Sequence, residues 1–348
     1  MLLIDAMNLR SFGGINLLVY LTNRLDLFKK EYIVLYRSDV MNEQFGDSYV
    51  AVEYSPWKRA GILNHHINKY RPSTIIYFGN YPARIKNGTI RSFVSFQNLH
   101  LLDVSDNSGF GLFERMLWKL KKLYLKRNLD EAEGYIVPTS FVRAEFLRTY
   151  DIEEERVITI PFYDKHYIIR AKKKFETEGI VKSKNTFIYN GSTHGHKNHI
   201  NLLAAWRLLL IEGKKPLLKL TIPPHGADEI LSIVKELQDQ GASIVNLTKN
   251  GYLEYIEILR EIYTSEYTIF PSLNETFGFG QVEGALLGNK VLSSNRDHVF
   301  PVIQPSSIFD PLDPKSIMKS VVDCLHNEVE ESILHFDDHI DELITQLY

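Results

Sequence analysis

The chain has 348 residues, enough for two domains of about 150 to 200 residues and too many for one ordinary core. Hydrophobic residues make up 44% and charged residues 24%, a globular balance; the net charge of -3 argues against a general nucleic-acid binder, which needs a basic surface. The single cysteine, Cys324, excludes an internal disulfide and fits a reducing compartment.

In chain order, the first half alternates short runs rich in Val, Ile, Phe and Tyr with amphipathic stretches. Leu2–Ala6, Tyr32–Arg37, Tyr49–Tyr54, Thr74–Asn80, Ser92–Asn98, Gly134–Pro138 and Val157–Pro161 are bounded by Gly, Pro, Asn or Asp and read as strands. Leu17–Lys30 and Phe141–Tyr150 read as helices. The turn expected within Asp5–Asn16 holds Gly13 and Gly14, a pair that lets backbone approach a ligand or simply makes a tight bend. Arg115–Arg127 has six basic residues, no acidic one, and Trp118 among leucines. Such a helix either lies on an anionic membrane surface or packs its apolar side inward with its lysines solvated.

After Pro161 the chain turns polar and lysine-rich, through Ala171–Lys174 to Lys184, with little periodicity. This predicts a linker and the entry to a second domain starting near Phe162, giving domains at 1–161 and 162–330. The strand pattern restarts at Thr186–Asn190, Leu217–Ile222, Ser243–Leu247, Tyr267–Pro271, Lys290–Ser294 and Ser307–Phe309, and Ser332–Leu347 reads as a final helix, in a segment 331–348 that returns to the first domain. Strands spaced by helices predict an α/β fold with parallel sheets. Doubly wound domains take ligands at the carboxyl ends of their strands, where strand order reverses, so a cleft between two facing domains is expected.

Two segments carry chemistry. In Glu275-Thr-Phe-Gly-Phe-Gly-Gln-Val-Glu283 a strand-end loop holds the first carboxylate and a short helix, from about Gly280 to Leu287, holds the second; Gly288 suits its end. Gly278 and Gly280 admit close backbone approach, and the helix's amino end suits a diphosphate. The plain alternative is a buried strand–turn–helix with two solvated carboxylates. In Tyr189-Asn-Gly-Ser-Thr-His-Gly-His-Lys-Asn-His199, Lys197 opens a helix reaching about Ile211, where its charge and the helix dipole act on one anion. His194, His196 and His199 also raise a zinc reading, but with no cysteine nearby a polar loop touching phosphate or acceptor is the expectation.

These segments resemble the retaining glycosyltransferase family 4 group, whose GT-B fold sets two Rossmann-like domains around a central cleft. Glu275 to Glu283 is similar to that family's E-x7-E motif. The resemblance implies that Glu275 meets the donor sugar and Glu283 the nucleotide ribose, with Thr276, Phe277, Gly278, Phe279 and Gly280 lining the donor. It further implies that Lys197 binds the donor diphosphate beside Gly191 and Ser192, although Ser192 stands where the family often has arginine. Gly13 and Gly14 match its acceptor or phosphate loop. Ser92–His100 looks like a strand ending in His-Asp or His-Glu, replaced here by Gln97 and Asn98 with His100 beyond; amides hydrogen-bond sugar hydroxyls but do not act as bases.

The implied activity is retaining, metal-independent transfer of a sugar, of mannose or rhamnose type, from a nucleotide-diphosphate sugar to a glycan or lipid-linked acceptor in bacterial cell-surface polysaccharide assembly. No cofactor or metal is implied, and no nucleic-acid partner. A sugar-nucleotide epimerase of the same fold and a catalytically silent sugar-nucleotide binding module are the alternatives; a dehydrogenase is disfavoured because the first βα turn lacks G-x-G-x-x-G. Met1–Asp5 lacks the basic n-region and cleavage site of a signal peptide, and no apolar run approaches the roughly 20 residues of a spanning helix. The chain is therefore expected in the cytoplasm, with 115–127 as a peripheral contact to the inner face of the cytoplasmic membrane.

Overall fold

A computed structural model describes residues 1–9, 12–39, 46–85, 89–105, 111–223, 225–248 and 251–348. The chain divides into two compact units, Met1–Asp164 with Asp337–Tyr348, and Lys165–Phe336.

The first unit runs β1 (Leu2–Asp5), α1 (Phe12–Leu27), β2 (Tyr32–Arg37), β3 (Tyr49–Val52), α2 (Arg59–Tyr70), β4 (Thr74–Tyr77), β5 (Arg91–Ser95), α3 (Leu112–Arg127), β6 (Gly134–Val137), α4 (Ser140–Thr149) and β7 (Val157–Thr159). Among the described residues its strands form one seven-stranded sheet in the order β3-β2-β1-β4-β5-β6-β7, every pair parallel. Every residue of β1, β4 and β6 is buried, which is why their sequences are mostly apolar and not alternating: a parallel sheet is covered on both faces. The order reverses between β1 and β4. There the side chain of Asp5 is buried and ion-paired with Arg59, Nη2 to Oδ2 2.7 Å, and Arg59 also donates to the carbonyl oxygens of Tyr81 and Pro82. One guanidinium thus ties the end of β1 to the loop after β4.

The second unit begins with α5 (Lys165–Thr177) and continues β8 (Ser183–Tyr189), α6 (His199–Ile211), β9 (Leu217–Leu220), α7 (Asp228–Asp239), β10 (Ile244–Asn246), α8 (Tyr255–Thr264), β11 (Ser265–Phe270), α9 (Phe279–Leu286), β12 (Lys290–Ser294), β13 (Ile303–Gln304), β14 (Ser307–Phe309), α10 (Pro314–His326) and β15 (Ile333–Leu334). Among the described residues a six-stranded parallel sheet has the order β10-β9-β8-β11-β12-β14, and β13 pairs antiparallel with β15. Here strand order reverses between β8 and β11.

Three expectations are corrected. The lysine-rich stretch after Pro161 is not a linker but α5: Ile168, Ala171 and Phe175 fall at helical spacing and are buried, while the lysines between them keep their charged ends in water. The first helix begins at Phe12, five residues earlier than expected, so Gly13 and Gly14 lie in its first turn and not in a loop; a first turn tolerates glycine because its amides have no partner inside the helix. Arg10 and Ser11, part of the expected turn, lie outside the described residues. Finally, the last helix, α11, spans only Ile340–Leu347. Residues 333–334 find backbone partners in β13 instead, and Asp338 accepts from the backbone amides of Tyr163 and Ile340 and from the Tyr20 hydroxyl, pinning the start of α11 within the first unit.

Candidate functional site

The two motif segments emerge from adjacent strands at the reversal point of the second sheet: Asn190–His199 follows β8, and Pro271–Gly278 follows β11. Several bonds lock them together. Leu273 donates its backbone N–H to the His196 carbonyl at 2.7 Å, and the Tyr189 hydroxyl donates to the Lys197 carbonyl at 2.8 Å. Asn198 adopts a left-handed conformation with φ 60°, which asparagine tolerates better than most residues, and its Nδ2 donates to the carbonyls of Pro271 and Pro311. The Lys-Asn pair therefore combines one charge with one joint between loops.

Lys197 sits in a 3-10 turn, Gly195–Lys197, just before α6 and not on the helix itself. Its Nζ donates to Glu275 Oε1 at 2.6 Å, and both side chains are mostly buried. Burial opposes ionisation of Glu275, but the charges of Lys197 and His196 beside it outweigh that penalty and hold its carboxyl below the ordinary range. Glu275 is thus an ionised carboxylate aligned by a cation.

Glu283 has the opposite electrostatics. It lies inside α9, 6% exposed; Oε1 accepts from the Tyr255 hydroxyl at 2.9 Å and Oε2 from Asn190 Nδ2 at 3.5 Å. Burial dominates these two neutral donors and pushes its carboxyl up to about 7. The two glutamates of one motif are held in different protonation regimes, because only the first has a cation.

The glycines between them are explained locally. Gly278 caps the amino end of α9 at φ 77°, a left-handed conformation that a Cβ would strain, and a Cβ there would also meet Gln281 Nε2 at 2.6 Å. A Cβ on Gly191 would lie 2.5 Å from the Tyr189 ring. Gly280 lies in the first turn of α9 beside the Asn190 carbonyl. Thr276 is half-buried in the loop. Phe277 is buried with its ring 4.8 Å from both Phe279 and Phe336, so it anchors the loop. Ser192 is exposed, its hydroxyl 2.9 Å from His194 Nδ1.

The three histidines do not converge. His194 and His196 stack at 5.8 Å, whereas His199 is buried against Tyr189, where burial and nearby Lys197 push its pKa down to about 4. Among the described residues no three His, Cys, Asp or Glu side chains form a metal-ligating cluster.

In the first unit Gln97 follows β5; its backbone N–H donates to Asn80 Oδ1 and its Nε2 to Ser95 Oγ. His100 is engaged elsewhere: Nδ1 bonds with Ser105 Oγ at 3.1 Å and the ring packs 4.9 Å from Trp118 of α3. Gly13 is exposed and Gly14 buried. Sequence reasoning assigned no role to Asn190 or Tyr255, the two partners of Glu283. Asn190 lay inside a quoted segment, but Tyr255 is 28 residues from Glu283 in the chain and no local pattern marks it.

On α3, Leu112 is 84% exposed, Phe113 67% and Leu120 54%, with Met116, Leu117, Leu123 and Tyr124 also in solvent; of its residues only Leu125 is buried. Inward packing thus involves Leu125 and the half-buried Trp118, and leaves most of the apolar side chains of the helix exposed. Among the described residues no helix is long and apolar enough to cross a membrane.

No family model matches the chain. It is similar to the O-antigen chain mannosyltransferase B of Escherichia coli, 23% identical over 221 residues, a match covering 59% of this chain and 54% of the relative. The similarity thus spans about half the length of that curated relative. Among solved structures, a sucrose-phosphate synthase from Thermosynechococcus elongatus superposes with a TM-score of 0.71 at 15% identity, covering 94% of this chain and 90% of the other. A glycosyltransferase from Rickettsia africae gives 0.63 at 13% identity, covering 93% and 87%. WaaG, a glycosyltransferase involved in lipopolysaccharide biosynthesis, gives 0.62 at 13%, covering 92% and 90%. The chain has the GT-B fold of glycosyltransferases, built from two Rossmann-like α/β units, as the resemblance at 189–199 and 275–283 implied.

Proposed function

We propose that the chain is a hexosyltransferase that moves a sugar from a nucleotide-diphosphate sugar to a glycan or lipid-linked acceptor in cell-surface polysaccharide assembly. The observation that carries this reading is the cluster at the β8/β11 reversal point: a lysine paired to one glutamate, and a second glutamate buried one turn into the adjoining helix. Lys197 and the amino end of α9 take the diphosphate, Glu275 the sugar hydroxyls and Glu283 the ribose. Departure of the nucleoside diphosphate leaves negative charge on its terminal phosphate, and Lys197 is a preorganised cation for that charge, with no metal needed. In a retaining transfer the acceptor oxygen bonds to the anomeric carbon on the face the diphosphate leaves. The carbon–oxygen bond to phosphate breaks with its electron pair going to the departing oxygen, which takes the acceptor's proton. The mannosyltransferase relative favours mannose as the sugar.

The first unit takes the acceptor, near the residues that follow β1, β4 and β5, including Gln97 and, at the start of α1, Gly13 and Gly14. Helix α3, with its exposed apolar stripe and six basic residues between Arg115 and Arg127, lies on an anionic membrane surface and brings the enzyme to a lipid-linked acceptor.

The test is a metal-free thermal-shift screen against UDP, GDP, ADP and dTDP and their common sugars, followed by transfer assays. A ligand at about 100 times its Kd adds about 2.7 kcal/mol of stability. Stabilisation by one nucleotide, with transfer abolished in Glu275→Gln and donor affinity nearly kept, supports the reading. Full transfer by Glu275→Gln overturns it.

A further inference from the structure

Tyr255 stands at the first position of α8, where a capping box fixes the helix start: the Glu254 N–H donates to Glu257 Oε2 at 2.8 Å, and the Glu254 side chain answers the backbone of Glu257. Its ring stacks on Tyr167 of α5, centroids 5.6 Å apart and planes 16° from parallel. The hydroxyl at the far end of this clamped ring donates to Glu283 Oε1 at 2.9 Å, while the bond from Asn190 to the other carboxylate oxygen is long, at 3.5 Å. Asn190 is itself oriented by Thr221, whose hydroxyl donates to Asn190 Oδ1 at 3.0 Å.

From this arrangement we infer that Tyr255, braced by Tyr167, is a positioning residue for nucleotide recognition, aiming the Glu283 carboxylate at a ribose diol. The inference rests on the reading of Glu283 as the ribose-binding group. A ribose offers two vicinal hydroxyl donors, and an ionised carboxylate, acceptor-only on both oxygens, is suited to accept from both. Tyr255 occupies one lone-pair site from within the protein and leaves the others for the ligand. Its hydrogen bond also favours the charged form of a carboxyl that burial would otherwise neutralise. Asn190 acts in the same sense on the other oxygen but from the limit of hydrogen-bond distance, so Tyr255 makes the shorter of the two bonds.

The test pairs UDP, GDP and ADP each with its 2′,3′-dideoxy counterpart and measures both dissociation constants by calorimetry at pH 8, for wild type, Glu283→Gln and Tyr255→Phe. Phenylalanine keeps the ring on Tyr167, and unchanged binding of the dideoxy ligand reports an intact site. Wild type prefers the ribonucleotide, Glu283→Gln loses that preference, and Tyr255→Phe weakens it by on the order of tenfold, the range for a hydrogen bond to a charged group. If wild type shows no ribose preference, or Glu283→Gln retains it, the reading of Glu283 fails. If both behave as described and Tyr255→Phe keeps the full preference, only the positioning role is overturned. An equal loss for ribo and dideoxy ligands in Tyr255→Phe also overturns it, since that is general damage to the fold.

Discussion

Replacing Glu283 by glutamine should raise stability relative to wild type progressively as pH rises from 5 to 8. The folded carboxyl titrates near 7 against an ordinary 4.5, so between those values the native state holds a proton that the unfolded chain has released. Stability therefore falls as pH rises through this window and levels off above it. At about 1.4 kcal/mol per pH unit, the full penalty is about 3 kcal/mol. Glutamine cannot ionise, so the variant lacks this slope. Its Oε1 still accepts from Tyr255, while its amide faces Asn190 Nδ2, a donor; that mismatch lowers stability by the same amount at every pH. The diagnostic is thus the change in the gap between variant and wild type, not its size at one pH. For a domain of this size about 3 kcal/mol corresponds to about 6 to 12 °C in Tm. Thermal unfolding followed by circular dichroism at pH 5, 6, 7 and 8 should show the variant gaining on wild type across the series. A gap that stays constant from pH 5 to pH 8 refutes the argument, because it means Glu283 does not carry a raised pKa. The same substitution should lower nucleotide affinity, a trade of function against stability at a strained polar site.

Lys197→Ala should weaken nucleoside diphosphate binding by on the order of tenfold or more in calorimetry, since a charge-assisted contact is lost; unchanged affinity would remove Lys197 from the phosphate site. Arg59→Ala leaves Asp5 buried without its cation and should cost about 3 to 5 kcal/mol in denaturant unfolding, whereas a loss under about 1 kcal/mol would show that water replaces the guanidinium. Leu120→Glu on α3 should abolish co-sedimentation with phosphatidylglycerol vesicles while moving stability by no more than about 0.5 kcal/mol, because Leu120 is exposed. Vesicle binding equal to wild type would remove α3 from the membrane contact.

The sheets were legible because short runs holding Val, Ile, Leu, Phe or Tyr stand between turn and helix segments: Tyr32–Arg37, Lys290–Ser294 and Ser307–Phe309 have the observed bounds. Helix α5 was not legible by the same logic, because its buried stripe is only Ile168, Ala171 and Phe175 and the lysines dominate the composition. The strand pair β13 and β15 joins two-residue segments about thirty positions apart, with no periodicity to read. At the site, Glu275, Glu283 and Lys197 were each visible in a local motif. What the motif does not contain is their partnership: Lys197 and Glu275 are 78 residues apart, and the two donors that oppose the burial of Glu283 are Asn190, after β8, and Tyr255, on α8.

The Lys197–Glu275 pair also has a consequence for turnover. While the two groups neutralise each other, any arriving anion competes with the carboxylate for the ammonium. Under the proposed function a nucleoside diphosphate alone takes the lysine and leaves the mostly buried Glu275 without its ammonium partner. An intact donor gives something back to each member, phosphate oxygens to the cation and sugar hydroxyls to the anion. Under the proposed function the latch thus favours the loaded donor over the spent one, so that once the sugar has gone the reformed pair helps to expel the product.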